Sequence, residues 1–121
     1  MKYTIEIPSL PPVECSPNWR GHWSERYKAT HTAKEQAWFY GRQIYTEAKP
    51  IAIKDVKGIH YIFHVKNHKW KDTDNLIGRA KPFLDGLKGS VIEDDHGIPI
   101  SGEIIVDGTS ATTIIVEVRN A

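Results

Sequence analysis

Alternating hydrophobic and polar positions predict four strands. The period of two is found in residues 2–7 and 56–66, where one side of each segment is apolar. Two further strands are expected over residues 103–106 and 112–118, and the Asp107-Gly108 pair between them marks a turn. The last strand should be buried on at least one face. Tyr3, Ile5 and Ile7 share one face of the first strand, and the second strand has Ile59, Tyr61, Phe63 and Val65 on one face.

A first helix is predicted between the first two strands. Thr32 and Glu35 form a capping box at its start, and Pro50 ends it. The preceding segment, Trp19–Thr30, mixes aromatic and basic residues and is either a mobile arm or an early helical turn. The apolar stripe of this helix is Ala33, Ala37, Tyr40, Ile44 and Ala48.

A second helix is predicted after residues 56–66, with Asp74 or Asn75 as its cap. Its interior contains Pro82, so we expect a kink or a restart there. Its apolar stripe is Leu76, Ala80, Phe83 and Leu87. The resulting order β–α–β–α–β–β predicts an α+β fold: one small domain, residues 1–121, with a mixed or antiparallel sheet and two main helices.

Composition narrows the class of protein. The chain has 121 residues, 40 % of them hydrophobic, which suits one folded domain. A single cysteine, Cys15, excludes an internal disulfide and favours a reducing compartment. No apolar run approaches the roughly 18 residues that span a bilayer, and the first residues have no signal-peptide core. We therefore expect a cytoplasmic protein without a membrane partner.

The charges are unevenly distributed. Residues 1–81 carry 14 Lys and Arg against 8 Asp and Glu, whereas residues 82–121 carry 2 against 7. The basic part could neutralise nucleic-acid phosphates, which releases condensed counterions. The alternative is a solvated surface whose charge happens to be uneven.

Four aspartates form two pairs about twenty residues apart: Asp72 and Asp74, then Asp94 and Asp95. A strand–helix–turn unit of this size can fold back and bring the pairs together. Clustered carboxylates repel each other unless a cation compensates, and hard oxygen donors favour Mg²⁺, Mn²⁺ or Ca²⁺. Such a site suits phosphodiester hydrolysis, in which metal ions polarise the phosphate and lower the pKa of a bound water.

Two cations and a structural alternative accompany these carboxylates. Lys81 and Arg79 lie close enough in sequence to contact the charge of the transition state. Asp72 and Asp74 could instead only cap a helix, and the second acidic pair could form a polar turn. An EF-hand is excluded because the Gly and Glu that its loop requires are missing at their spacings.

Histidines and tryptophans add two further expectations. His60 and His64 share a strand face without a third ligand at a recognisable spacing, so we expect them to serve at the surface or in packing. Trp19, Trp23 and Trp38 could stack on unpaired bases. Packing in the core or at a dimer contact is the alternative, and it is favoured most for Trp38 inside the first helix.

Three consecutive segments carry a recognisable motif: Asp72-Thr73-Asp74-Asn75-Leu76, Lys81-Pro82-Phe83-Leu84-Asp85-Gly86-Leu87 and Val91-Ile92-Glu93-Asp94-Asp95. In this order they resemble the RusA family of phage and prophage Holliday-junction resolvases. Its pattern is Asp-x-Asp-Asn-Leu, a Lys before a Pro or small residue, Asp-Ala/Gly-Leu, then Asp-Asp. A weaker similarity runs through Ile7-Pro8, Pro11-Pro12, Ser16-Pro17-Asn18 and Arg20-Gly21-His22-Trp23.

The resemblance implies a RusA-like homodimer that binds four-way DNA junctions and makes paired nicks with Mg²⁺ or Mn²⁺. It implies that the metal-binding catalytic carboxylates are Asp72, Asp74 and Asp95, with Lys81 as the functional cation. Supporting roles fall to Asp94, Asn75 and Arg79. Contacts to the DNA are expected from Arg20, His22, Trp23, Arg26, Lys28, Lys69 and Lys71.

One departure from the family pattern leaves the cation open. In some relatives the Lys follows the Asp-Asn pair more closely, and here Gly78 occupies that nearer place. Lys81 lies three residues further on, about one helical turn, so Arg79 is its rival.

The function predicted from these observations is a Mg²⁺-dependent endonuclease for recombination and repair in a bacterial or phage-infected cell. Water would attack the phosphodiester, leaving a 5′-phosphate and a 3′-hydroxyl. One alternative is a flap or branched-DNA nuclease of looser specificity. Another is a non-catalytic DNA-binding module whose acidic pairs cap helices. An acid–base hydrolase that pairs Glu93 or Asp95 with Asp72 has no sugar-binding feature to support it.

Overall fold

A computed structural model describes residues 2–43, 53, 55–70, 72–88, 91–93 and 97–119 of the chain. Its strands are β1 (Lys2–Ile7), β2 (Val56–Val65), β3 (Ile100–Val106) and β4 (Ala111–Val118). Its α-helices are α1 (Trp23–Arg42), α2 (Thr73–Arg79) and α3 (Lys81–Leu87), and a short 3₁₀ helix covers Val13–Cys15. The predicted α+β class and the predicted order of elements are confirmed.

The four strands form one mixed sheet in the order β1-β4-β2-β3. β4 is antiparallel to both β1 and β2, whereas β2 and β3 run parallel. The turn at Asp107-Gly108 is present, with Gly108 at φ +80°. The strands on either side of it do not pair, because β2 lies between them. The backbone N–H groups of Asp107 and Gly108 donate to the Val65 carbonyl at the end of β2, at 3.2 and 3.3 Å.

The alternation in β2 and β4 separates two faces of the sheet. Ile59, Tyr61, Phe63 and Val65 are all at most 1 % exposed, as the pattern predicted. Ile59, Tyr61 and Phe63 form the core with apolar residues in and between the helices: Ala33, Ala37, Leu76, Ala80, Phe83, Leu84 and Leu87. The other face of β2 carries His60, Ile62 and His64, which are only partly buried. The helices thus pack on one face, and side chains of the opposite face remain accessible to water.

Helix α1 begins nine residues before the predicted start at Thr32. Its N-cap is His22, whose ring nitrogen Nδ1 accepts from the Ser24 N–H at 3.1 Å. The capping-box prediction was therefore wrong, and Thr32 lies inside the helix. Histidine is not among the preferred N-cap residues, so the usual capping pattern does not mark this helix start. The expected helix end at Pro50, with Ile44 and Ala48, lies outside the described residues.

The second predicted helix is two short helices, α2 and α3. Asp72, and not Asp74 or Asn75, caps α2: its Oδ1 accepts from the Asn75 N–H at 3.0 Å. Pro82 lies in the first turn of α3, where a missing N–H costs little. The expected restart at this proline is confirmed.

Gly86 lets α3 approach α1 closely. A Cβ at this position would lie 2.3 Å from the Lys34 carbonyl oxygen and 3.0 Å from the Ala37 Cβ. No larger side chain fits this crossing unless the helices separate. The small residue of the Asp85-Gly86-Leu87 segment is therefore explained by helix packing.

Candidate active site

Asp72 and Asp74 lie at the start of α2, shortly after β2 ends. Both residues are exposed. They also lie at the positive end of the helix dipole, which stabilises negative charge. Asp72 uses one oxygen as the helix cap, and an ionised carboxylate has further lone pairs to offer a cation. The hard oxygen donors of these two side chains suit Mg²⁺ or Mn²⁺.

A loop from the N-terminal part of the chain lies against this helix. Asn75 Nδ2 donates to Ser16 Oγ at 3.0 Å, and the Asn18 N–H donates to the same oxygen at 3.3 Å. A Cβ on Gly78 would lie 3.2 Å from the ring of Pro17. Ser16-Pro17-Asn18 therefore contacts both turns of α2. Two segments that carry the family resemblance, far apart in sequence, meet at this point.

Arg79 points into the protein and holds the preceding part of the same loop. Its Nη2 donates to the Pro11 carbonyl at 2.6 Å and its Nε to the Pro12 carbonyl at 3.3 Å. The guanidinium also lies over the ring of Trp70, 5.1 Å from its centroid. Burial lowers the pKa of Arg79, although an arginine stays protonated. These hydrogen bonds give Arg79 a structural role, because they hold the loop in place.

Lys81 is the exposed member of the two candidate cations. It is the first residue of α3, and its Nζ lies 3.1 Å from Asp85 Oδ1 one turn later. Its side chain is 57 % exposed, whereas Arg79 is 7 % exposed. The geometry therefore favours Lys81 over Arg79 as the cation available to a bound phosphate.

The second acidic pair, Asp94 and Asp95, lies outside the described residues, so its approach to Asp72 and Asp74 stays a prediction. The segment just before it is anchored. The Val91 N–H donates to the Leu87 carbonyl at 2.8 Å, and the Glu93 N–H donates to the Ile53 carbonyl at 3.1 Å. Across the described ranges, no group of three or more His, Cys, Asp or Glu side chains is arranged to hold a metal ion.

Comparison with known proteins gives one distant relative and no family assignment. No protein-family model matches the chain. The chain is 28 % identical over 86 residues to an uncharacterized protein of Xylella fastidiosa (strain Temecula1 / ATCC 700964). The match covers 71 % of this chain and 56 % of that protein, so the chain spans little more than half the length of its relative.

The predicted DNA-contacting residues that the structure describes are all exposed. Five of them precede α1 or lie in its first turns: Arg20, His22, Trp23, Arg26 and Lys28. Lys69 lies in the turn after β2, where its N–H donates to Asn67 Oδ1 at 3.0 Å. Lys71 lies outside the described residues. The helix-capping role of His22 is one that sequence reasoning missed.

The three tryptophans have different environments. Trp23 is 72 % exposed, and Trp19 is partly buried. Trp38 is 48 % exposed, so it does not pack in the core of this chain, and the alternative of a dimer contact stays a prediction. α1 buries Ala33, Ala37 and Gly41 instead. The neighbouring position, Trp38, therefore projects outward.

The accessible face of the sheet holds two histidines in cross-strand hydrogen bonds. His64 Nδ1 lies 2.7 Å from Asp107 Oδ2, and its Nε2 lies 3.0 Å from Thr113 Oγ1. His60 Nδ1 lies 2.7 Å from Ser101 Oγ. These contacts join β2 to β4 and to residues of and just beyond β3, which agrees with the packing role predicted for both histidines.

Asp107 is the titratable group on this face whose pKa departs from its ordinary value. Its pKa is lowered mainly because the Thr109 hydroxyl donates to Oδ1 at 2.6 Å, and His64 adds to the effect. Partial desolvation opposes the shift. An open groove of about 780 Å³ passes this face and the end of α1; its lining includes Thr4, Glu6, Tyr40, His64, Asp107 and Thr113.

The described residues contain no helix with the length and apolar character needed to cross a bilayer.

Proposed function

We propose that this protein is a Mg²⁺-dependent endonuclease that resolves four-way DNA junctions by paired nicks. The observation that carries the proposal is the Asn75–Ser16 hydrogen bond of 3.0 Å. It places the N-terminal segment of the family resemblance beside the acidic segment that contains Asp72 and Asp74. Two segments that both belong to the family pattern and that contact each other in the fold are expected to serve one site.

The carboxylates present fit a divalent metal. Asp72 and Asp74 are exposed and begin the same helix, and Asp95 would supply the third carboxylate. When bound, Mg²⁺ or Mn²⁺ would polarise the scissile phosphate and lower the pKa of the attacking water. Asp72 and Asp74 would orient that water and repel the DNA backbone until the charge is compensated.

Nearby cations would bind the substrate. Lys81, exposed at the start of α3, would contact the scissile phosphate and the charge that develops in the transition state. Arg20, Arg26 and Lys28 at the start of α1, and Lys69 after β2, would contact the flanking backbone. A homodimer would present two such sites to opposite strands of the junction, in the cytoplasm of a bacterial or phage-infected cell.

A second candidate is a non-catalytic DNA-binding module. The capping role of Asp72 favours it, since that carboxylate has a structural purpose without a metal. Asp74 is not explained in this way, because it lies inside the first turn and is exposed. The module predicts salt-sensitive DNA binding and no metal-dependent product.

The test is cleavage of a synthetic four-way junction, a flap and a linear duplex, with Mg²⁺ and with a chelator. The wild type should nick the junction in the presence of Mg²⁺ and prefer it over the other two. Asp74→Asn should slow nicking at least about 100-fold while binding stays intact or tightens. Glu6→Gln, which neutralises an exposed carboxylate on β1, is the matched control.

Each outcome separates the candidates. Equal cleavage of flap and junction would favour a nuclease of looser specificity over a junction resolvase. Binding without any Mg²⁺-dependent product would favour the DNA-binding module. Nicking by Asp74→Asn at the wild-type rate would remove Asp74 from the catalytic set.

A further inference from the structure

Aromatic and basic side chains alternate along one exposed face of α1. Tyr27, His31, Lys34, Trp38 and Arg42 follow each other at intervals of three or four residues, which places them on the same side of a helix. We call these five residues the α1 stripe. Tyr27 is 68 % exposed and Trp38 is 48 % exposed. The stripe therefore presents large aromatic surfaces to solvent on a helix whose buried side is made of Ala33, Ala37 and Gly41.

The surroundings of the stripe are positively charged. Five basic residues against two acidic ones are found between positions 20 and 42, and all seven are exposed. One of the two acids, Glu35, is paired with His31 at 2.8 Å. The guanidinium of Arg42 lies 4.6 Å from the centroid of the Trp38 ring. A cation is therefore already stacked on one face of an exposed aromatic ring.

Single-stranded nucleic acid matches this combination best. Unpaired bases stack on aromatic rings, and the phosphates between them are neutralised by the neighbouring cations. From Tyr27 to Trp38 the helix rises about 16 Å, a span along which several nucleotides of a single strand can lie. A second copy of the chain fits less well, because the same positive charge would oppose itself across the interface.

We propose that the α1 stripe binds single-stranded DNA by stacking bases on Tyr27 and Trp38. The choice of DNA over RNA rests on the proposed function, because the substrate proposed there is DNA. The stripe would hold nucleotides that leave the duplex arms, while the carboxylates at α2 act on the scissile phosphate. Binding through its aromatic residues should not depend on base sequence, because every base has a face that can stack.

The experiment measures binding of a fluorescently labelled oligothymidylate of about ten nucleotides, with a chelator present so that nothing is cut. Trp38→Ala should weaken binding at least about fivefold, and Trp38→Tyr should restore most of it. Phe39→Ala is the matched control. Phe39 is the adjacent residue, is 55 % exposed and points about a quarter-turn away, so its removal should leave the dissociation constant unchanged.

Salt dependence provides a second readout. Arg42→Gln should reduce the slope of log affinity against log salt by about 0.7, the value for one phosphate contact on a single strand. Equal loss of binding in Trp38→Ala and Phe39→Ala, or no loss in either, would overturn the proposal. Dissociation of a dimer by Trp38→Ala would also overturn it, because the face would then be an interface between copies.

The two proposals fail in different ways. If Asp74→Asn binds the oligothymidylate normally and the wild type makes no Mg²⁺-dependent nick, the nuclease is wrong and the α1 stripe stands. If the junction is nicked and the Trp38→Ala protein binds the oligothymidylate as tightly as the wild type, the stripe is wrong and the nuclease stands.

Discussion

Asn75 donates its side-chain amide to the hydroxyl of Ser16, 59 residues earlier in the chain, at 3.0 Å. This hydrogen bond holds the loop after the 3₁₀ helix against the helix that begins with the acidic pair. Because Ser16 is buried, removal of its hydroxyl leaves the amide without this acceptor.

Ser16→Ala should therefore lower the free energy of unfolding by about 1–2 kcal/mol, measured by urea denaturation. Ser110→Ala, at an exposed site before β4, should change it by less than about 0.5 kcal/mol. A double-mutant cycle with Asn75→Ala isolates the pair. A coupling energy near zero would show that the hydrogen bond does not hold the loop.

Asp72 combines a structural and a proposed chemical role, and two substitutions separate them. Asn caps a helix about as well as Asp, so Asp72→Asn should change the stability by less than about 0.5 kcal/mol while it removes the charge. Asp72→Ala removes both the charge and the cap, so it should also lower the free energy of unfolding by about 1 kcal/mol. If Asp72 is a metal ligand, both variants lose Mg²⁺-dependent nicking. Full activity in Asp72→Asn would show that Asp72 serves as the helix cap and not as a metal ligand.

We expect substitution of Arg79 to lower the stability of the protein more than substitution of neighbouring residues. Arg79→Lys keeps the charge but cannot donate from two nitrogens to Pro11 and Pro12 or lie flat on Trp70. We expect a loss of roughly 2–3 kcal/mol in the free energy of unfolding, measured by thermal and urea denaturation. Arg26→Lys at an exposed site of α1 is the control. Equal stability of the two variants would contradict this assignment.

The lowered pKa of Asp107 predicts a loss of stability in acid. Because this pKa is lower in the folded chain than in the unfolded one, the carboxylate stabilises the fold above its ordinary pKa of about 4. That contribution is lost as the pH falls through the lowered value. Thr109→Val should move the pKa back up, measured by NMR titration of the carboxyl carbon. Asp107→Asn should flatten the acid limb of a stability–pH curve, and an unchanged limb would argue against the effect.

Local patterns were sufficient to predict most elements of this fold. The strict alternation of β2 identified its buried face, and Pro82 identified the restart between α2 and α3. The start of α1 was missed because its cap, His22, is an uncommon one. The sheet order was not predictable either. Whether β3 pairs with β4 or with β2 depends on how the segment between β2 and β3, including α2 and α3, packs on the sheet. Local sequence patterns do not indicate this packing.

The candidate site was predicted only in part. Asp72 and Asp74 became candidates because their spacing and their place before a helix are visible in the sequence. The contact with Ser16 joins residues far apart in the chain, and the inward orientation of Arg79 depends on the carbonyls of Pro11 and Pro12. For Trp38 the expectation was packing in the core or at a dimer contact. The core of this chain is excluded because the buried positions of α1 are small residues and Trp38 lies outside them.

The pairing of β1 with β4 constrains how the chain can be made. Ile5 lies opposite Ile114, so β1 is synthesised 109 residues before the position with which it pairs. Until then, the apolar side of that nascent strand has no sheet to join. Contacts of such long sequence separation slow folding, and unpaired strands promote association. The ribosome-bound intermediate should therefore be the state of this protein that depends most on chaperones.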